Sequence, residues 1–401
     1  MKIALIKERK NPPDKRVVLP PYICKQLIQQ FSELTIKVES SDDRIFSDDD
    51  YRNEGIEVTN DISDCDVLFG VKEIPEDYLI PNKKYFFFSH TIKKQVHNRK
   101  LLQAILKKNI ELYDYEVIEN TDGIRLVAFG KYAGIVGAYN AFRTYGLKHQ
   151  LYEIPKANVH FDQNELIDEL KKLQLKPFKI VLTGTGRVGN GVKEILDAIP
   201  IKQVTVDAFL NENFTVPVYV QIDVLEYVKR KDGKIIDVYD FYKNPHLYEN
   251  NFNRFATIAD LYIAGHFYSE GSPVIISKEM MLNPKFKISV IADISCDLNT
   301  PIASTIRPST IDNPIYGYNK FTNQETDYNS PMAIAVMAVD NLPSELPKDS
   351  SDGFGVNVAK YVIPAFFNND KENILQRALI TYKGKLTNRF SYLEDYVNQE
   401  K

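Results

Sequence analysis

Residues 179–207 read KIVLTGTGRVGNGVKEILDAIPIKQVTVD, and this stretch decides the fold. An apolar β-type run, Lys179 to Thr183, breaks into Gly184-Thr185-Gly186-Arg187-Val188-Gly189, after which Val192, Ile195 and Leu196 recur at helical spacing. The order is strand, glycine turn, helix. Gly184 allows the tight turn, Gly186 lets the backbone approach a pyrophosphate, and Gly189 lets the helix pack closely on the strand. The helix N-terminus then faces the phosphates. A second β-rich run, Gln203 to Val206, is expected to end at Asp207, where a carboxylate can bond both hydroxyls of an adenine ribose. The alternative, a glycine loop between packed elements, leaves Asp207 without a role.

The rest of the composition suits a globular enzyme-sized chain. With 401 residues, 44% hydrophobic and 26% charged, it can bury cores in two or three domains. A formal net charge of −4 sets up no field that would draw in nucleic acid or an anionic membrane. Cys24, Cys65 and Cys296 are odd in number and lack CxxC spacing, which argues against a disulfide framework and a structural zinc site, so no metal is expected. The amino terminus, MKIALIKERK, holds too short an apolar run for a signal peptide, and no segment approaches a membrane span. A cytoplasmic location is the expectation.

Working outward from the glycine turn, residues 1–125 alternate apolar runs (IALI, LTIKV, DVLFGV, KYFFFSH, IELYDYE) with helical patterns such as PPYICKQLIQQF and NRKLLQAILKK, which predicts an α/β sheet separate from the dinucleotide one. GKYAGIVGAYNAFRTYG (130–146) places Ala133, Gly134, Gly137 and Ala138 on a helical period and reads as a connecting helix packed closely between domains. A further helix is expected over 164–173. Residues 210–254, rich in Asp, Asn, Tyr and Lys, look like an insertion with one helix candidate at 223–228. ADLYIAG and ISVIADI extend the sheet, SPMAIAVMAVDNLPSELP forms a second crossing segment, and helical patterns at 356–367 and 372–382 return to the first domain. The division is 1–140 plus 345–401 for substrate and 141–344 for the dinucleotide.

Several strand ends in the first domain carry chemistry. DVLFGVKEIPE delivers Lys72 and Glu73, and KYFFFSHTIK delivers Ser89 and His90, at the carboxyl ends of strands, where open α/β sheets place ligand-facing groups. A strand-end Lys and His can serve as a base and acid pair. Arg16 and Arg125 precede apolar runs and offer the guanidinium suited to a bidentate hold on a carboxylate. Glu116, in YDYEV, stands where it could tune Lys72 through its charge.

With these residues in hand, the chain resembles the lysine-forming saccharopine dehydrogenases, and most closely the lysine–ketoglutarate reductase half of the animal and plant bifunctional enzymes. The segments LFGVKEIPE, FFFSHTIK, LYDYE, RLVAFGKYAG, VLTGTGRVGNG, FYKNPHLYENNFNRFATIADLYIAGHFY, IADISCD, TIDNPIY and MAVDNLPSELP carry the resemblance in one order over nearly the whole chain. It implies an α/β fold of two Rossmann-like domains with parallel sheets, like alanine dehydrogenase, with a cleft between them. Lys72 is implied as base and His90 as acid. Arg16, Gln95, Arg125 and Phe129 match positions that hold the amino-acid substrate, and Ser295, Cys296 and Asp297 match a loop beside it. Gly186 and Arg187 match the cofactor turn and Asp207 the ribose acid, while Phe267, Ile294, Val339, Asp340, Asn341 and Leu342 match further cofactor contacts.

The sequence departs from the family pattern in places. Val188 replaces a cysteine of the fungal enzyme, so no redox-sensitive disulfide is expected there; Ile124 replaces a cofactor-contacting arginine, and Phe267 a tyrosine. The sequence stops at Lys401, so the second, glutamate-forming dehydrogenase of the bifunctional proteins is expected to be absent. The implied reaction is reversible cleavage of saccharopine to lysine and 2-oxoglutarate. NAD is the expected cofactor because Asp207 repels a 2′-phosphate and no arginine follows it; NADP is the second option, since the reductases most resembled prefer NADPH. Another opine-type dehydrogenation on the same scaffold and a non-catalytic NAD-sensing protein are the competing readings. Oligomeric state is not legible.

Overall fold

The computed structural model describes residues 1–11, 13–235 and 237–399, and the chain divides into two compact units. The first comprises Met1–Phe129 and the segment from Pro347 onward; the second is Gly130–Leu346.

In the first unit six strands, β1 (Lys2–Leu5), β2 (Thr35–Glu39), β3 (Glu57–Thr59), β4 (Val67–Lys72), β5 (Lys84–Phe88) and β6 (Glu111–Asp114), form one sheet in the order β3-β2-β1-β4-β5-β6. Every pairing is parallel. Strands β1, β4 and β5 are near-continuous apolar runs because the interior of a parallel sheet is covered on both faces. Helices α1 (Pro21–Gln30), α2 (Asp48–Asn53) and α3 (Arg99–Lys107) connect them. Phe69, Phe86 and Tyr113 stack across β4, β5 and β6 with centroids 4.6 and 4.4 Å apart, each contact adding about 0.5–1.5 kcal/mol beyond area burial. The returning segment supplies a helix at Pro347–Asn357 and buried Phe354, Val358, Val362 and Ile363 to this core. The helical pattern at 372–382 resolves into a short helix, Ile374–Ala378, followed by a strand at Thr381–Tyr382.

The second unit opens with the long helix α4 (Gly130–His149), followed by α5 (Gln163–Lys171), β7 (Lys179–Thr183) and α6 (Arg187–Ala198). The small residues of α4 press it onto α6: a Cβ on Gly134 would lie 2.0 Å from the Val188 carbonyl, and one on Gly191 2.1 Å from that of Lys131. The close packing expected between domains is therefore packing inside this unit, and residues 130–140 belong with it.

Next come β8 (Lys202–Gln203), α7 (Val206–Asn211), β9 (Val218–Ile222), α8 (Val224–Tyr227) and the antiparallel pair β10 (Val228–Arg230) and β11 (Tyr248–Asn250). Strands β12 (Leu261–Ala264), β13 (Val290–Asp293), β14 (Ile315–Asn319), β15 (Gln324–Thr326) and β16 (Ala333–Met337) complete an eight-stranded sheet, ordered β15-β14-β16-β13-β12-β7-β9-β8. It is parallel from β8 to β16, and β14 and β15 add an antiparallel edge. The second crossing segment, 330–347, contains the fully buried strand β16, and at its end the chain passes from the second unit to the first, between Leu346 and Pro347.

Two expectations near the glycine turn fail. The β-rich run 203–206 is not a strand ending at Asp207: β8 is two exposed residues, and Thr205 caps α7 by accepting from the Ala208 amide, which puts Asp207 in the first turn of a helix. The insertion-like region instead contains β9, which pairs along its whole length with β7.

Candidate functional site

In the first unit the chemistry gathers at the carboxyl end of the sheet. The β4–β5 register slips between Phe69 and Lys72, and this bulge turns the strand end so that Lys72 pairs with Phe88. Glu8, just past β1, accepts the amides of Val71 (2.7 Å) and Lys72 (2.9 Å) and fixes the bulge. Its carboxyl is pushed up to about 8, chiefly by burial and then by Asp14, against the pull of the two amides.

Burial lowers the Lys72 ammonium from its usual value, and the charge of Arg16 lowers it further; Asp14 opposes both. Arg16 is itself buried. Its Nε and a terminal nitrogen hold both oxygens of Asp14 at 2.9 and 2.5 Å, and its guanidinium lies 4.2 Å from the centre of the Phe129 ring. Phe129 in turn stacks on Phe354 at 4.2 Å. Burial would raise the Asp14 carboxyl, but the charge and bonds of Arg16 outweigh it and hold it low.

His90 follows β5 in left-handed backbone, φ 53°, a conformation costly for a residue with a Cβ and concentrated at functional sites. Burial and then the charge of Lys72 push its imidazole down to about 4, so it is neutral at pH 7. Glu73 Oε2 lies 4.0 Å from His90 Nδ1, while Glu73 Oε1 takes Lys10 at 3.2 Å. Glu116 meets Lys93 at 2.9 Å and Arg125 at 3.7 Å, and Arg125 also donates to the Glu116 carbonyl. Buried Asp114 ties the ends of β5 and β6 by accepting from the Ser89 amide and hydroxyl and the Glu116 amide. Gln95 is exposed, and its side chain accepts from Asn98 at 3.2 Å. Lys72, His90, Arg16, Phe129, Glu73 and Glu116 thus form one interacting group, in which Glu116 acts on His90 through its charge; Gln95 is not brought into it among the described residues.

In the second unit the glycine turn is built as the sequence predicts. Gly184 has φ 97°, and a Cβ there would strike the Gly265 carbonyl at 2.4 Å; one on Gly189 would strike the Gly184 carbonyl at 2.0 Å. Gly186, by contrast, faces open space, with nothing within 4 Å of a Cβ. Two glycines serve the turn and the third leaves room at the start of α6, the arrangement a pyrophosphate needs. Arg187 is the first residue of that helix. The residues present therefore fit a dinucleotide.

The loop after β13 hangs on Asp293, a residue that no sequence motif marks. Its Oδ1 accepts from the Ser295 amide and hydroxyl and the Cys296 amide, and its Oδ2 from Thr305. Burial raises its carboxyl, and burial pushes the Cys296 thiol up to about 12, so Cys296 is no nucleophile; its Sγ donates to the Ala338 carbonyl. Asp297 is exposed. Ile294 packs against Gly137. Val339 and Leu342 bury their side chains in the core, which leaves backbone for any ligand, while Asp340 is exposed and Asn341 half-buried. Phe267 is 78% exposed.

The alanine dehydrogenase/PNT N-terminal domain model matches residues 4–136 and the alanine dehydrogenase/PNT C-terminal domain model residues 177–389. The chain belongs to this family. Among solved structures, an L-alanine dehydrogenase shares the alanine dehydrogenase/PNT fold with a TM-score of 0.64 at 17% identity, covering 99% of each chain. A transhydrogenase from Sinorhizobium meliloti reaches 0.56 at 12%, covering 96% of this chain and 99% of that one. Among curated relatives, alpha-aminoadipic semialdehyde synthase of Arabidopsis thaliana is 29% identical over 98% of this chain and 41% of its own length. The mitochondrial enzyme of that name from Bos taurus is 27% identical over 98% and 47%. The chain thus spans less than half of these two. Saccharopine dehydrogenase (NAD(+), L-lysine-forming) of Candida albicans is 26% identical over 92% of this chain and 93% of its own.

Proposed function

We propose that the chain is an NAD-dependent, lysine-forming saccharopine dehydrogenase. The observation that carries this reading is the depressed Lys72 ammonium beside the ion-paired Arg16, with neutral His90 in the same group. The end-to-end match with the Candida albicans enzyme of that name supports it.

In this reading Arg16 and Arg125 hold carboxylates of saccharopine by charge-assisted bonds, and Phe129 backs the Arg16 guanidinium. Bound NAD supplies the hydride acceptor, held by Gly184, Gly186, Arg187 and Gly189 with Phe267, Ile294 and the backbone from Val339 to Leu342. Lys72 takes the proton of the secondary amine as the substrate carbon loses hydride, leaving an imine. His90, entering neutral, accepts a proton from the water that adds to the imine carbon and returns it to the nitrogen, then takes the carbinolamine hydroxyl proton as the carbonyl forms and passes it to the departing amine, giving lysine and 2-oxoglutarate. In the reverse direction His90 acts as the acid. Ser295, Cys296 and Asp297 line the substrate's flank, and Gln95 takes a place there once substrate is bound. Action on small molecules in the cytoplasm is part of the proposal; among the described residues no helix is long and apolar enough to cross a membrane.

The test follows nucleotide oxidation with lysine and 2-oxoglutarate, comparing NADH with NADPH, in the native protein and in Lys72→Met. Lysine-dependent oxidation that Lys72→Met reduces about 100-fold or more supports the reading. Full turnover in that variant, or activity with a different amine only, refutes it.

A further inference from the structure

We infer that Asp223, not Asp207, is the carboxylate that reads the adenine ribose and sets the preference for NAD(H) over NADP(H), an inference that rests on the dinucleotide reading above. In a doubly wound sheet the dinucleotide crosses the carboxyl ends of the strands at the point where strand order reverses, here between β7 and β12. The adenine ribose then falls over the strand beside the glycine strand, on the side away from β12. In this chain that strand is β9.

The register fixes the level. Thr183 pairs with Ile222, the Gly184 amide donates to the Ile222 carbonyl at 2.9 Å, and Gln221 Nε2 donates to the Gly184 carbonyl at 3.0 Å. Asp223 is therefore the first residue beyond the strand, one peptide from the carbonyl that anchors the first glycine of the turn. It is exposed, and its Oδ1 accepts from the Leu225 amide at 2.9 Å, which orients the carboxylate.

Asp207 stands elsewhere. β8 lies beyond β9, and its last residue, Gln203, pairs with Tyr219, three residues before Ile222. From there the chain turns into α7, where Asp207 Oδ1 accepts from Asn211 at 2.8 Å. In sheet order β9 lies between the glycine strand β7 and β8, the strand that leads into α7.

A carboxylate at position 223 accepts from the ribose 2′- and 3′-hydroxyls of NAD(H) and repels the 2′-phosphate of NADP(H). The segment Ile222–Tyr227, IDVLEY, contains no cation to offset that repulsion, and its second acid, Glu226, is paired with Arg254.

Calorimetric titration with NADH and with NADPH, needing no turnover, tests this in the native protein and in Asp223→Asn, Asp223→Ser and Asp207→Asn. Asn keeps the shape and an acceptor for the Leu225 amide while removing the charge; Ser is a second capping residue. Native protein favouring NADH by about tenfold or more, most of that ratio lost in both Asp223 variants, and an unchanged ratio in Asp207→Asn are the expected results. A ratio that survives in the Asp223 variants, or is lost in Asp207→Asn instead, overturns the role of Asp223 and leaves the dinucleotide reading standing. Failure of both nucleotides to bind the native protein overturns both.

Discussion

Glu8 grips Lys72 by its backbone: a side-chain carboxyl oxygen accepts the Lys72 amide at 2.9 Å across 64 residues of sequence. Its other oxygen takes Val71, so two amides at the bulged end of β4 depend on one side chain. Glu8→Ala leaves both without that acceptor. The expected loss of stability is about 1–3 kcal/mol, measured by denaturant melts, together with a fall in kcat that exceeds any change in dinucleotide affinity. A variant with native kcat would show that the bulge holds Lys72 unaided.

The His90 imidazole makes stability pH-dependent in one direction. Its folded pKa, about 4, lies below the ordinary 6.5, so between these values the unfolded chain binds more protons than the folded one. Stability contributed by this site falls as pH drops from 6.5 towards 4 and is indifferent above that window. His90→Gln is expected to flatten the stability profile there; equal slopes in the two proteins would count against a buried, neutral His90.

Lys72 imposes a separate trend on rate. Its ammonium is depressed but must lose its proton before it accepts one, so saccharopine oxidation should rise with pH until Lys72 is neutral. Removing Arg16, whose charge helps depress Lys72, moves that rise to higher pH. Arg16→Gln is therefore expected to raise KM for saccharopine and shift the pH–rate curve basic, whereas a purely structural Arg16 would change neither ratio.

The glycine turn separates folding from binding. Gly189→Ala drives a methyl group into the Gly184 carbonyl at 2.0 Å and should destabilise the unit, seen as a lowered Tm. Gly186→Ala meets nothing within 4 Å and should melt like the native protein, yet bind NADH at least about tenfold more weakly if the pyrophosphate passes there. Native NADH affinity in Gly186→Ala would move the phosphates elsewhere.

Much of this was readable in one dimension. The five apolar runs of the first unit are strands β1, β2, β4, β5 and β6, and the glycine turn sits between β7 and α6. Local signals failed where a neighbour in space decided the outcome. VTVD looks like a strand end, but Thr205 caps a helix there. VYVQI, five residues within a polar stretch, is a buried strand because β7 lies beside it. Glu8 and Asp293 carry no motif; their importance comes from amides and hydroxyls that only folding brings to them.

The contact between α4 and α6 bears on how such chains are recognised. Gly191 follows the phosphate-type glycines by two positions, yet what a side chain there would strike is the backbone of α4. In GTGRVGNG, then, ligand recognition and helix docking are written in the same letter within eight residues. Losing a glycine from that octapeptide during divergence is not evidence of a lost cofactor, and keeping all four is not evidence of a kept one; each must be judged by what its missing side chain would have hit.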